Sequence, residues 1–253
     1  LFTRVDGFTL ILYPFIDGGN GAEVGMTEAH WLAFGALIKQ IHSIQLPSDL
    51  QIHIRKEAFV PQWAGIIRQL QAKLVAGDYG GPHEEALAAF WLARREEIEQ
   101  IVETTIQLGR TLQARPLETV LCHADAHTHN VLIDTLGHFH IVDWDGGILA
   151  PRERDLMFML SSGTNENPEN RSAICFRRGY GAVDVDPVVL AYYRYEWVVQ
   201  EIGDFGERVF LAKGTGDVTQ RESVEGFIEL FEPGDVVEEA YAAYPLSDSD
   251  IDQ

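Results

Sequence analysis

The residues able to do chemistry crowd into one stretch, Leu121-Cys122-His123-Ala124-Asp125-Ala126-His127-Thr128-His129-Asn130-Val131-Leu132, followed by Ile141-Val142-Asp143-Trp144-Asp145. An Asp and an Asn five positions apart, with a second Asp beyond two apolar runs, match what phosphoryl transfer requires. A carboxylate must orient the attacking hydroxyl and take its proton, and a divalent metal must neutralise charge on the triphosphate. Magnesium takes oxygen ligands and keeps several waters, so the protein adds only one or two side chains. On this pattern Asp125 is the base, and Asn130 and Asp143 are the metal ligands. A hairpin between the two ligands would let them converge on one ion. The alternative for all three is an Asx-rich loop whose side chains serve its own turns.

A different chemistry is also open. In an extended segment His123, Asp125, His127 and His129 face one side, as the ligands of a zinc-dependent metallohydrolase can. That reading leaves Asn130, the strand end at Asp143 and a downstream Asp155 unexplained.

Elements must position these residues. Thr9–Ile16 is an apolar run closed by Pro14 and Asp17-Gly18-Gly19-Asn20-Gly21, and it predicts a buried strand running into a flexible linker. Leu1–Val5, with a turn at Asp6-Gly7, predicts its hairpin partner. After Thr27 as N-cap, Trp31, Phe34, Ile38 and Ile41 mark one face of an amphipathic helix. Pro82 to Leu112 carries the longest helical signal, whereas Pro47–Gly81 is mixed. Short strands are expected at Thr119–His123, Val131–Asp134 and Phe139–Trp144, the last two forming a hairpin across Asp134–Gly137. Helices are expected at Arg154–Leu160, from Pro187 to Phe210, and from Asp217 as N-cap towards Phe231. The order implies an α+β fold dominated by helices.

Composition narrows the partners. The 253 residues carry 39 Asp and Glu against 19 Lys and Arg, a net charge of −20. Nucleic acid needs the opposite balance, because Lys and Arg are required to release the counterions from its phosphates. At long range such a field favours a cationic small molecule, although acidity serves solubility as well. No apolar run approaches the roughly 20 residues that span a bilayer. Leu1–Asp6 shows no secretory signal, and the first residue is not Met, which predicts a start inside a longer chain. Cys122 and Cys175 are too few for a disulfide framework, which fits a reducing cytoplasm. Oligomeric state is not legible.

The order H-x-D-x-x-x-x-N, an apolar strand, then I-V-D-W-D resembles the signature of the aminoglycoside phosphotransferase and choline kinase family, relatives of the protein kinases. The resemblance runs over about residues 1 to 210 and implies a two-lobe, protein-kinase-like fold, ATP and Mg2+ as cofactors, and a small hydroxyl-bearing acceptor. It implies that Ala150-Pro151-Arg152-Glu153-Arg154-Asp155-Leu156 carries a supporting carboxylate, Asp155. Leu12-Tyr13-Pro14-Phe15-Ile16 is similar to the hinge, so Tyr13, Phe15 and Ile16, with Leu132, are expected against the nucleotide. His123 is expected to orient the loop, and Asp145 to stand behind the metal ligands or in a turn. Finer texture, such as Leu190-Ala191-Tyr192-Tyr193-Arg194-Tyr195-Glu196, resembles the spectinomycin phosphotransferase branch. On the helix after Pro187, Glu196, Trp197, Glu201 and Asp204 are expected to meet a cationic acceptor, with an aromatic core and solvated carboxylates as the alternative.

One departure is clear: the family's glycine-rich phosphate loop, strand lysine and helix glutamate precede the hinge and cannot be placed here. The resemblance therefore divides the chain into 1–16, the end of an N-lobe hairpin with the hinge; 17–232, a helical C-lobe; and 233–253, a loose acidic tail. A catalytically silent relative is the third reading, opposed by the intact Asp125, Asn130 and Asp143.

Overall fold

A computed structural model describes residues 2–160 and 171–245. β1 (Phe2–Val5) and β2 (Phe8–Ile11) form an antiparallel hairpin through Asp6 and Gly7, both at positive φ as a tight hairpin turn requires. The buried strand expected over Thr9–Ile16 is not what forms. Pairing ends at Ile11 and the run is exposed, Phe15 to 91%, because β1 and β2 pair only with each other and gain no second layer.

The glycine run after Ile16 is not a free linker either. Gly18–Asn20 forms β3, and a Cβ on Gly18 would lie 2.0 Å from the carbonyl oxygen of Ile133. Only glycine allows that approach. Asn20 then caps α1 (Gly21–Val24), and Thr27 caps α2 (Glu28–His42) in a capping box closed by His30. Beyond α3 (Ser48–Gln51) and β4 (Arg55–Lys56), the mixed segment also holds α4 (Ala64–Val75).

The long helical signal splits into α5 (Pro82–Ala93) and α6 (Arg95–Gln113). At Arg94 the backbone leaves the helix, with φ −115° and ψ 14°, and the guanidinium lies 3.9 Å over the Phe90 ring. The break lets the two halves serve different neighbours, as the later helices show.

The stretch with Asp125, Asn130 and Asp143 is built on β5 (Val120–Cys122), β6 (Val131–Asp134), β7 (Phe139–Ile141) and β8 (Ile148–Ala150). β3, β6 and β7 make one antiparallel sheet; β4, β8 and β5 make another, with β4 parallel to β8. Next come α7 (Glu153–Leu156), α8 (Arg171–Tyr180), α9 (Pro187–Phe210), α10 (Asp217–Glu229) and α11 (Val236–Ala243). Gly216, rather than Asp217, sits at the cap of α10. Asp186 caps α9 ahead of Pro187 at its first turn.

α9 is the axis of the larger core. α4, α6, α10 and α11 pack on it, while α5 turns to α10, stacking Trp91 on Phe227 at 5.2 Å. A second core joins α2 and α8 to the β6–β7 hairpin through Phe34, Ile38, Val131 and Phe176. The expected loose tail is ordered at least through α11, because Val237 and Ala240 bury against α9 and the Tyr195 hydroxyl donates to the Tyr244 carbonyl. The SDSDIDQ stretch lies outside the described residues. The observed architecture is the α+β, helix-dominated one the sequence implies.

Candidate active site

After β5 the chain cannot continue as a strand, because Ala124 turns into the left-handed region at φ 73°. That conformation is costly for a residue with a Cβ and needs outside support. Asp155 supplies it. Its carboxylate, 1% exposed, accepts the N–H of Ala124 at 2.7 Å, the N–H of His123 at 2.9 Å and Nε2–H of His42 at 2.9 Å. Because Nε2 of His42 donates to a carboxylate, Nδ1 is left to accept, and the Tyr180 hydroxyl donates to it at 2.8 Å. Asp155 thus stands behind the loop. His42 and Tyr180, which complete the chain of bonds, were not foreseen. His42 reads in sequence only as a core or near-core residue without chemistry, and the segment that forms α8 gives no clear signal.

Cys122 lies beside this knot. Burial first, and then the Asp155 carboxylate, push its thiol well above the ordinary value, which leaves it protonated and inert. Its sulfur, His42 and Asp155 each place a ligand atom within 4.8 Å of the others, but the imidazole and carboxylate are already taken by hydrogen bonds.

His123 locks the loop to the hairpin. Nε2–H donates to the Val142 carbonyl at 2.8 Å, Nδ1 accepts from the Asp125 N–H at 3.3 Å, and the ring meets Trp144 edge-on at 4.6 Å. Both nitrogens are therefore occupied. Val142 in turn donates its N–H to the Asn130 carbonyl at 2.9 Å, and Val131 faces Ile141 in the ladder. Asp143 follows at φ 62°, a second left-handed residue with a side chain, and opens the 3-10 turn Trp144–Gly146. The hairpin register so brings Asn130 and the start of the Asp143 turn together. Asp145 is exposed in that turn.

Asp125 and Asn130 touch directly. The Asn130 amide nitrogen donates to the Asp125 carbonyl at 2.9 Å and to Oδ2 at 2.6 Å, which uses both its hydrogens. Oδ1 of Asp125 is buried without a hydrogen-bond donor, although Nε2 of His127 lies 3.2 Å away off the bonding angle. Burial works to raise the Asp125 carboxyl, but His127 and Asn130 outweigh it and hold the group below its ordinary value.

The zinc constellation does not assemble. Thr128–Asn130 forms a 3-10 turn rather than an extended run, so the alternation that would align the histidines fails. His123 points to Val142, and His129 is exposed. Among the described residues the convergent ligand group is His42, Cys122 and Asp155, not this one.

The remaining candidates divide. Leu132 pairs with Asn20 and His140, on the opposite face from Val131 and Ile133, which join the core. Tyr13, Phe15 and Ile16 lie in the unpaired run that leads into β3, at the edge of the same sheet. On α9, Trp197 reaches the loop, its ring 6.3 Å from His127 and 5.0 Å from Phe158. The Glu201 carboxyl is pushed up to about 7 by burial and then by Asp204, with smaller effects from Asp125 and His127 that place it beside the loop. Glu196 instead pairs with Arg154 at 2.7 Å, and Asp204 pairs with Arg208. Glu196 and Gln200 line a separate cavity with Arg55, Glu57, Trp63 and Tyr192.

The chain matches the family model of the phosphotransferase enzyme family over residues 3–192. Protein StrN of Streptomyces griseus is 26% identical over 224 residues, covering 85% of this chain; the chain spans 62% of StrN's length. The structure of spectinomycin phosphotransferase, APH(9)-Ia, with ADP and spectinomycin is similar at TM-score 0.82 and 33% identity, over 97% of this chain and 74% of that one. In fold alone, an aminoglycoside phosphotransferase from Alicyclobacillus acidocaldarius overlays with TM-score 0.59 at 14% identity, over 96% of this chain and 71% of that one. The kinase-like fold expected from sequence is the fold of these neighbours, and the chain belongs to the phosphotransferase enzyme family.

Proposed function

We propose that the protein transfers the γ-phosphoryl group of ATP to a hydroxyl of a small cationic polyol of the aminocyclitol type, with Asp125 as the base. One observation carries this reading. One oxygen of Asp125 is locked by Asn130 while the other, Oδ1, is sheltered and has no donor of its own. A carboxylate so held, and kept ionised by its neighbours, can orient a hydroxyl and take its proton.

The residues present fit magnesium. Asn130 turns its amide nitrogen to Asp125, so its oxygen is the atom left to offer, and Asp143 adds an exposed carboxylate. An all-oxygen pair suits a hard cation that keeps its waters. When bound, Mg2+ with ATP supplies the phosphoryl group and neutralises its charge. Tyr13, Phe15, Ile16 and Leu132 would line the adenine side, His123 and Asp155 hold the loop, and Asp145 stands in the turn behind Asp143. Trp197 meets the ring of His127, Glu201 follows one turn later on α9, and the pair suits a cationic acceptor, an aromatic face near a carboxylate. Glu196 is engaged by Arg154, so its part is structural. Supporting the acceptor class, the spectinomycin-bound neighbour is 33% identical. No helix among the described residues is long and apolar enough to cross a membrane, and two free buried cysteines suit a reducing cytoplasm.

The test is magnesium-dependent turnover by the full-length protein across aminocyclitols, aminoglycosides, choline and ethanolamine, spectinomycin included. One acceptor should turn over, and Asp125→Ala should lower that rate by about 10²–10⁴. Retention of more than about a tenth of the rate would remove Asp125 from the role of base. Asp143→Ala should weaken nucleotide binding only when magnesium is present.

A further inference from the structure

The imidazole of His127 is placed with unusual definition for a loop side chain. It caps the 3-10 turn: the His129 N–H donates to Nδ1 at 3.2 Å, so in the neutral ring the hydrogen sits on Nε2. That nitrogen faces two atoms, Asp125 Oδ1 at 3.2 Å and Asn130 Nδ2 at 3.4 Å. The Asn130 amide has both hydrogens on Asp125 already, so it has none for His127. What remains for it is Asp125 Oδ1, 3.2 Å away but off the line of the N–H, so that a small turn of the ring completes the bond. The ring cannot drift far, because Phe158 and Trp197 meet it edge-on at 5.7 and 6.3 Å.

We propose that His127 is a positioning residue: its Nε2–H steadies the Asp125 carboxylate so that Oδ1 keeps one lone pair for the acceptor hydroxyl. A carboxylate oxygen has two lone pairs, so one contact with His127 leaves the other for the substrate. Asn130 fixes one oxygen, and His127, once its ring turns to bond, steadies the other, so that the carboxylate plane is set from both sides. Without His127 the group can rotate about the bond to Asn130. Misplacement of a reacting atom by about 1 Å can cost on the order of 10²-fold. The inference rests on Asp125 being the base.

Two substitutions separate this role from capping. In His127→Gln the amide nitrogen can stand near the place of Nε2, but the cap acceptor is lost. In His127→Asn the amide oxygen can stand near Nδ1 and keep the cap, but no donor reaches Asp125. The full-length protein is assayed with the acceptor identified above, reading kcat and both KM values. His127→Asn and His127→Ala should lose about tenfold in kcat, with KM for MgATP nearly unchanged, a loss of the size contacting groups show. His127→Gln should recover to within about threefold of wild type. If His127→Asn is active and His127→Gln is not, the residue only caps its turn, and the proposal is overturned. Equal losses in all three, or none, overturn it as well. Asp125→Ala, run alongside, tells the failures apart: turnover surviving there sinks the base assignment, while turnover lost there leaves His127 judged by its own variants.

Discussion

Nε2 of His42 lies 2.9 Å from Oδ2 of Asp155, the carboxylate that also takes the N–H groups of His123 and Ala124. One buried side chain therefore satisfies donors from α2 and from the loop that carries Asp125. The arrangement explains how Ala124 can stay at a positive φ.

Removing that carboxylate should be severe. Asp155→Ala leaves buried donors unsatisfied and should cost about 3–5 kcal/mol in urea unfolding. Asp155→Asn, which turns an amide N–H towards other N–H groups, should lose most of the same amount. A loss under about 1 kcal/mol in both would mean that the loop is held by something else.

Tyr180→Phe tests the far end of the chain. It deletes only the hydroxyl that donates to Nδ1 of His42. The expected cost is about 1–2 kcal/mol, since an acceptor in the core is left bare. A shift of the urea midpoint at unchanged slope would show that stability alone has moved.

Where α2 crosses α8 the backbones nearly touch. A Cβ on Gly35 would lie 2.0 Å from the Phe176 carbonyl oxygen, and one on Gly179 would lie 1.9 Å from that of Leu32. Gly35→Ala and Gly179→Ala should each destabilise by about 1–3 kcal/mol despite better helix propensity, because backbone has to move. Thermal melting of the two variants, against Gly65→Ala in open space on α4, checks this.

Glu201 gives a pH dependence with a definite sign. Its carboxyl is raised to about 7, chiefly by burial, so the folded protein holds a proton that the unfolded chain releases near the ordinary Glu value. Stability should therefore fall as pH rises from about 4.5 to 7 and level off above. Glu201→Gln should flatten that slope and gain on the order of 1–2 kcal/mol at pH 8, after allowance for the part of the side chain that solvent reaches. Melting curves at pH 5 and pH 8 measure it. A Gln variant with the parent's slope would place the titration elsewhere.

The local elements around the candidate site were more legible than the packing beyond them. The stretch with Asp125, Asn130 and Asp143 stands out because a few residue types fall at short spacings, and the Asp134–Gly137 turn forms the expected hairpin and sets its register. α9 was legible for local reasons, an Asp186 cap, Pro187 and a sustained apolar stripe. What escaped depends on distant partners. β4 is two residues long and exists because β8 lies beside it. α8 has a polar sequence whose few apolar residues make sense only against α2. The break at Arg94 reflects helices bound for different neighbours, which no periodicity within 82–112 can reveal. Likewise the zinc reading assumed an extended loop, and the 3-10 turn at Thr128–Asn130 dispersed its ligands.

Because backbone meets backbone where Gly35 crosses Phe176 and Gly179 crosses Leu32, α2 and α8 cannot slide past one another by side-chain rearrangement. His42 and Tyr180 ride on those helices, so the loop bearing Asp125 shares their clock. Its amides at His123 and Ala124 should exchange with solvent only on the slow timescale of helix separation, not the nanoseconds of a surface loop. Asp125 is then carried in a fixed frame. The exposed run from Leu12 to Phe15 has no such tie, and its amides should exchange far faster.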